Sequence, residues 1–161
     1  MSAAQYDVAQ VCLNGHMVNS SWRSSPEFSK DFCPKCGTKT VNACPSCQTH
    51  IQGYCHVPGV ISVSKTHVRQ YCHACGKPYP WTSARIDAAK ALAQELEGLS
   101  DADKLLLQSS IDDLVADSPM TSVAVVRFKK VIAKAGRQAA DGFRDILVNV
   151  LSEAVRKQLW G

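Results

Sequence analysis

The apolar positions of residues 82–160 recur at helical spacing, whereas those of residues 1–81 come in short, interrupted runs. In the second half, Thr82 stands where it can cap a helix that places Ile86, Ala89, Ala93 and Leu96 on one face and stops near Gly98. Ser100 can cap a second helix, with Leu107, Ile111 and Leu114 as its stripe. Ser118-Pro119 is a helix-start signature, because the amide that proline lacks has no partner in a first turn. The third helix then turns Val125, Phe128, Ile132 and Ala135 inward and ends near Gly136. A fourth, from about Ala139 or Asp141, aligns Phe143, Leu147, Val150 and Ala154. Connections this short predict a bundle of about four antiparallel α-helices.

The first half predicts small β hairpins. Val8 and Val11 make Tyr6–Leu13 a short strand that delivers Cys12. Met17–Phe32 is rich in serine and suits a loop or hairpin tip, with Trp22 and Phe28 expected to cover a metal site. The link Thr38–Ala43 is too short for a helix. Ile51–Tyr54, Val60–Val63 and Val68–Tyr71 read as strands, the first two joined by a turn at Pro58-Gly59. Composition changes at Tyr79-Pro80-Trp81. The expected class is therefore α+β, with a metal-built domain over 6–79 and a helical domain over 82–160.

All eight cysteines lie between Cys12 and Cys75. Cys33-Pro-Lys-Cys36-Gly37, Cys44-Pro-Ser-Cys47 and Cys72-His-Ala-Cys75-Gly76 are knuckles. Each tight turn brings two thiolates to one side, as a tetrahedral Zn2+ requires, and a glycine after the second cysteine accepts the positive φ of the turn's exit. Cys44-Pro-Ser-Cys47 lacks that glycine. Cys12-Leu-Asn-Gly-His16 is a fourth knuckle whose second ligand is an imidazole one position later than the usual cysteine. Pairing in sequence order gives two zinc ions, one on Cys12, His16, Cys33 and Cys36 and one on Cys44, Cys47, Cys72 and Cys75. The alternative is a cross-brace, as in ring-finger ubiquitin ligases. Were His16 only a surface residue, Cys12, Cys33 and Cys36 would leave an open position of the kind a catalytic zinc uses. Cys55 and His56 are surplus to both sites, and His73 between two ligands is expected to face solvent.

Charge changes little in this picture. The formal net charge of +4 sits wholly in residues 1–81, with seven Lys and Arg against three Asp and Glu, while residues 82–161 hold eleven of each. Bound thiolates carry charge, so a site of three cysteines and a histidine contributes −1, a site of four cysteines −2, and the loaded chain falls to about +1. A strong drive toward polyanions is not supported. Two basic sets remain: Arg127, Lys130, Lys134 and Arg137, with Lys129 beside them, opposite the apolar face of the third helix, and Arg23, Lys30, Lys35, Lys39, Lys65 and Arg69 near Trp22, Tyr54 and Tyr71. The motifs of zinc deaminases, phosphate-binding glycine loops, His-Glu-x-x-His metalloproteases and Gly-x-Ser-x-Gly hydrolases are missing from the sequence. Residues 1–11 lack a basic start, an apolar run and a cleavage site, and no apolar stretch is long enough to span a bilayer, so a cytoplasmic, non-membrane protein is expected. There Cys-x-x-Cys pairs read as metal ligands rather than disulfides.

Cys36-Gly37, a short link and Cys44-Pro-Ser-Cys47 resemble the tandem double zinc ribbon. With Cys12-Leu-Asn-Gly-His16 at the start and Tyr71-Cys-His-Ala-Cys-Gly-Lys-Pro-Tyr-Pro-Trp81 at the junction, most of the chain is similar to a bacterial domain-of-unknown-function family. The resemblance implies a bacterial zinc-ribbon protein and brings no activity with it. Taken together, the residues lead to a non-enzymatic zinc-binding adaptor with a protein partner. The alternatives are a nucleic-acid-binding ribbon protein and, if one site is open, a ring-finger-like adaptor or a zinc enzyme.

Overall fold

Residues 7–12 are buried without a break, a pattern that one half-exposed strand cannot give. In the computed structural model, which describes residues 3–62 and 65–161, the expected Tyr6–Leu13 strand is instead divided at Ala9. Its halves are β1 (Gln5–Val8) and β2 (Gln10–Cys12). Three further strands follow: β3 (Met17–Asn19), β4 (Thr40–Val41) and β5 (Gln52–His56). β2 lies between β3 and β4 in an antiparallel three-stranded sheet, while β1 pairs antiparallel with β5, Tyr6 opposite Cys55. One segment thus serves two sheets and is covered on both faces.

The chain divides into two compact units, Met1–Ser83 and Ala84–Gly161. In the first, β3 forms where the serine-rich sequence suggested a loop, and the loop after it is held by buried polar side chains. Gln10 Nε2 donates to the Lys30 carbonyl (2.9 Å), and its Oε1 accepts from the Lys30 amide (3.1 Å). Asn19 donates to the Ser25 carbonyl (2.8 Å) and accepts from the Ser21 amide (2.9 Å). The buried Asp7 carboxylate accepts from the amides of Val8, Arg23 and Ser24 and from the Ser24 hydroxyl. Burial would raise its pKa, but the hydrogen bonds from Ser24, Arg23 and Val8 outweigh that and hold it at about 2. β5 comes so close to this region that a Cβ on Gly53 would run into the Ser20 carbonyl and within 2.8 Å of the backbone of Val8 and Ala9.

Two expected strands are not formed. Val60–Ser62 carry no strand, and Val63 lies outside the described residues. Val68–Tyr71 supply only a single bridge, Tyr71 to Pro78. The turn before them is present: Gly59 has φ +77°, and the Val60 amide donates to the Val57 carbonyl (3.1 Å). The apolar core of this unit is small and is built from Ala9, Val11, Ile51, Tyr79 and Trp81 with Cys44 and Cys72.

The helices are α1 (Pro80–Glu95), α2 (Asp101–Ala116), α3 (Thr121–Ala135), α4 (Arg137–Leu147) and α5 (Glu153–Trp160). Thr82 is not the cap of α1; it lies inside the first turn, fully buried, and its hydroxyl donates to the Gln70 carbonyl (2.7 Å). Ser100 does cap α2, accepting from the Asp103 amide (3.1 Å). The expected faces Ile86/Ala89/Ala93/Leu96 and Leu107/Ile111/Leu114, and Val125/Phe128/Ile132 of the third, belong to the apolar core of the helical unit, whereas Ala135, expected with the last of these, is half-buried at the end of α3 and lies outside it. The expected fourth helix is two. A break at 148–152, closed by the Ser152 hydroxyl accepting from the Val155 amide (3.3 Å), restarts the helix in a new phase. Val155 is consequently buried and Ala154 exposed, the reverse of what one continuous helix would give.

Candidate metal centres

Three knuckles share one hydrogen-bond pattern. The Cys33 amide donates to the Thr38 carbonyl (2.8 Å), Cys44 to Thr49 (2.8 Å) and Cys72 to Lys77 (2.9 Å). In each, the residue after the second cysteine donates back to the first cysteine's carbonyl and has positive φ: Gly37 at 73°, Gln48 at 63° and Gly76 at 72°. Gln48 therefore adopts the conformation for which the other knuckles use glycine, at a cost of roughly 1 kcal/mol for a residue with a side chain. The fourth turn, Cys12 to His16, closes through Gly15, whose amide donates to the Cys12 carbonyl (2.8 Å) and whose φ is +87°. A Cβ on Gly15 would stand 3.0 Å from that of the buried Trp81, so the turn needs glycine for space as well as for φ.

These turns gather the candidate ligands in sequence order. Cys12, His16, Cys33 and Cys36 form one cluster, and Cys44, Cys47, Cys72 and Cys75 the other, the donor atoms of each lying within 4.8 Å of one another. The cross-braced pairing is not formed. In the first cluster His16 Nδ1 is 3.5 Å from Cys12 Sγ and 3.7 Å from Cys33 Sγ, with Cys12 Sγ and Cys36 Sγ 3.7 Å apart. In the second, Cys44 to Cys75 is 3.8 Å and Cys47 to Cys72 is 3.6 Å. A tetrahedral ion with Zn–S near 2.3 Å and Zn–N near 2.05 Å has edges of about 3.8 Å between sulfurs and about 3.6 Å between sulfur and nitrogen. The clusters fit that figure, and all eight cysteines are free of disulfides.

The electrostatics point the same way. The Thr38 hydroxyl and amide, with His16 and Asn14, bring the Cys36 thiol down to about 5 against the opposing effect of burial. Amides of Cys75 and Ala74 bring Cys72 down to about 6. Cys75, in spite of the Lys77 amide, is pushed up to about 11 by burial and by the other thiols of its cluster. Thiols packed this closely cannot all ionise unless a cation sits among them, and a dication reverses the repulsion.

Several supporting residues escaped the sequence reading. Thr38 Oγ1 lies 3.4 Å from Cys36 Sγ and Thr49 Oγ1 3.3 Å from Cys47 Sγ. The repeated Cys-x-Thr was the available signal. Trp22 and Phe28 are not the covers they were expected to be. Trp22 is half-buried and tilted against the His50 ring, and Phe28 is 63% exposed at the end of a 3-10 turn, Pro26–Phe28. The aromatic cover comes from Tyr79 and Trp81, stacked at 4.7 Å and packed with Cys44 and Cys72. Burial, then the thiolates of Cys72, Cys44 and Cys47, push the Tyr79 phenol upward. Cys55 and His56 belong to neither cluster: Cys55 is half-buried in β5, and His56 Nε2 stands 3.7 Å from Asp7. His73 is exposed.

The family model for "Uncharacterized protein conserved in bacteria (DUF2321)" matches residues 5–159. The chain belongs to that family. The matched span includes both clusters and every helix up to the last residues of α5, and the clusters are consistent with a tandem zinc ribbon. No curated protein and no solved structure matches the chain. Among the described residues, no helix of this family member is long and apolar enough to cross a membrane.

Proposed function

We propose that the protein is a non-enzymatic adaptor, in which two structural zinc ions hold a ribbon platform rigid for a protein partner in the bacterial cytoplasm. Cys12, His16, Cys33 and Cys36 would hold the first ion, and Cys44, Cys47, Cys72 and Cys75 the second. The observation that carries this reading is the closed donor set: each cluster offers four side-chain donors at tetrahedral spacing. A zinc held by four protein ligands has no position for a reactive water, whereas catalytic sites keep one open. Sulfur-rich tetrahedral sites also suit iron–sulfur centres, but His16 in one set and the repeated short knuckles favour zinc.

The test is metal content and coordination. Two zinc ions per chain, with one sulfur-only shell and one of three sulfurs and one nitrogen in X-ray absorption, are expected. An added oxygen shell, or a His16→Ala protein that retains both ions with unchanged spectra, would replace this reading with that of an open site. A chain isolated with bound iron and visible absorption would replace zinc.

A further inference from the structure

Helix α3 contains no Asp or Glu, and its outward face mixes cations with aliphatic side chains. Its inward face is accounted for by Ala124, Val125, Phe128, Val131 and Ile132 in the helical core. On the other side Val126 is 65% exposed, Val123 41% and Met120 45%. Arg127, Lys129 and Lys130 are exposed and, among the described residues, form no ion pair, while Lys134 is neutralised by Asp103 at 3.1 Å. Arg137, expected on the same stripe, instead begins α4 beyond the break at Gly136.

We propose that this face of α3 is the docking surface for an acidic segment of a partner protein in which Asp and Glu alternate with aliphatic residues. A face that merely meets water gains nothing from valine, which is a poorer helix former than Ala, Glu or Gln. Nor does it gain from Arg127 and Lys130 standing three residues apart with Lys129 beside them, where like charges repel along the helix. A partner with opposite charge and apolar side chains removes both costs at once. The composition also selects the class of partner. Phosphates would use the cations and leave the valines in water. A bilayer surface would favour Leu, Phe or Trp, and this face presents no aromatic residue. Stiff, β-branched valines lose little rotamer freedom on being covered, which suits a packed protein contact.

This inference rests on the adaptor reading but concerns a surface remote in sequence from the metal ligands, so the two fail separately: coordination spectra test the centres, and binding at α3 is read by other means. The test uses the full, zinc-loaded chain, labelled with nitrogen-15 and titrated with a synthetic peptide of alternating Asp/Glu and Leu/Ile. Separate titrations use phosphatidylserine vesicles and oligothymidylate. Amide shifts confined to residues 120–135 are expected with the peptide, weakened about tenfold or more by Val126→Glu or by Lys130→Glu, and weakened also when Ser replaces the peptide's Leu and Ile. Both substituted positions are exposed, so thermal melting should stay unchanged; the milder Val126→Ser serves if it does not. The proposal is overturned by any of four results: no shifts at millimolar peptide, shifts elsewhere, binding of vesicles or oligothymidylate in preference to peptide, or concentration-dependent shifts of the same face without peptide, which would make the occupant a second copy.

Discussion

The two units of the chain hold themselves together by different means. The helical unit has a core of sixteen buried residues, among them Leu107, Ile111, Leu114, Leu147 and the edge-to-face pair Phe128 and Phe143, enough apolar surface to fold on hydrophobic burial. The ribbon unit has seven, two of them cysteines, and that is too little. Its order comes instead from the polar side chains of Asp7, Gln10, Asn19 and Thr40, all buried, and from the two ligand clusters. A chain segment without repetitive structure can be fixed in place if each bend meets a specific hydrogen bond or ligand, but then every such contact matters. The helical unit spreads its stability over many interchangeable contacts.

The largest test of this contrast is removal of metal. Structural zinc supplies roughly 10–16 kcal/mol in small fingers, so a strong chelator should unfold β1–β5 while the helical circular-dichroism signal persists. Simultaneous loss of the helical signal would end the contrast. Next come two substitutions expected to act on opposite sides of it. Gly53→Ala drives a methyl group into the backbone of Val8, Ala9 and Ser20 and should cost about 3 kcal/mol or more, seen as weakened zinc retention in a competition assay. Phe128→Ala should cost about 3–5 kcal/mol, seen as a lowered helical melting temperature with zinc content unchanged.

Asp7→Asn should cost about 2 kcal/mol in the ribbon unit, because the native carboxylate's pKa of about 2 lies below its ordinary value. A depressed pKa contributes stability that is complete above about pH 4 and fades as the pH falls toward 2. Protonation of the thiolates would release a bound metal before that range is reached, so the effect is best read near pH 7 as a difference between Asp7→Asn and the parent protein. An undiminished zinc affinity and melting profile would show that the Ser20–Lys30 loop does not depend on the carboxylate. The smallest expected effect is a gain: Gln48→Gly relieves φ 63° and should stabilise the second centre by about 1 kcal/mol, measured by chelator competition. A loss instead would mean that the Gln48 side chain contributes more than its backbone costs.

The sequence by itself determined what depends on local chemistry. Cys-x-x-Cys spacing specifies a turn that presents two thiolates, whatever surrounds it, and the 3.6-residue period of Leu107, Ile111 and Leu114 specifies a buried helix face. The gathering of the four knuckles into two candidate clusters and all but Ala135 of the apolar faces expected for α1–α3 were therefore legible in the sequence. Only the tertiary structure decided what depends on distant partners. Nothing local to Tyr6–Leu13 says that Ala9 divides it between two sheets, since that requires β4 and β5 to arrive from either side. Nothing in the serine-rich stretch announces β3 or the hold that Asp7, Gln10 and Asn19 keep on it, because most of those hydrogen bonds are made to residues six to twenty positions away. The break before α5 escaped for a related reason: Leu147, Val150 and Ala154 keep a helical period, and only burial against α3, α4 and the rest of the bundle core selects Val155 instead. Likewise the aromatic cover fell to Tyr79 and Trp81 rather than Trp22 and Phe28, because an aromatic's place is set by which cavity the folded backbone leaves for it.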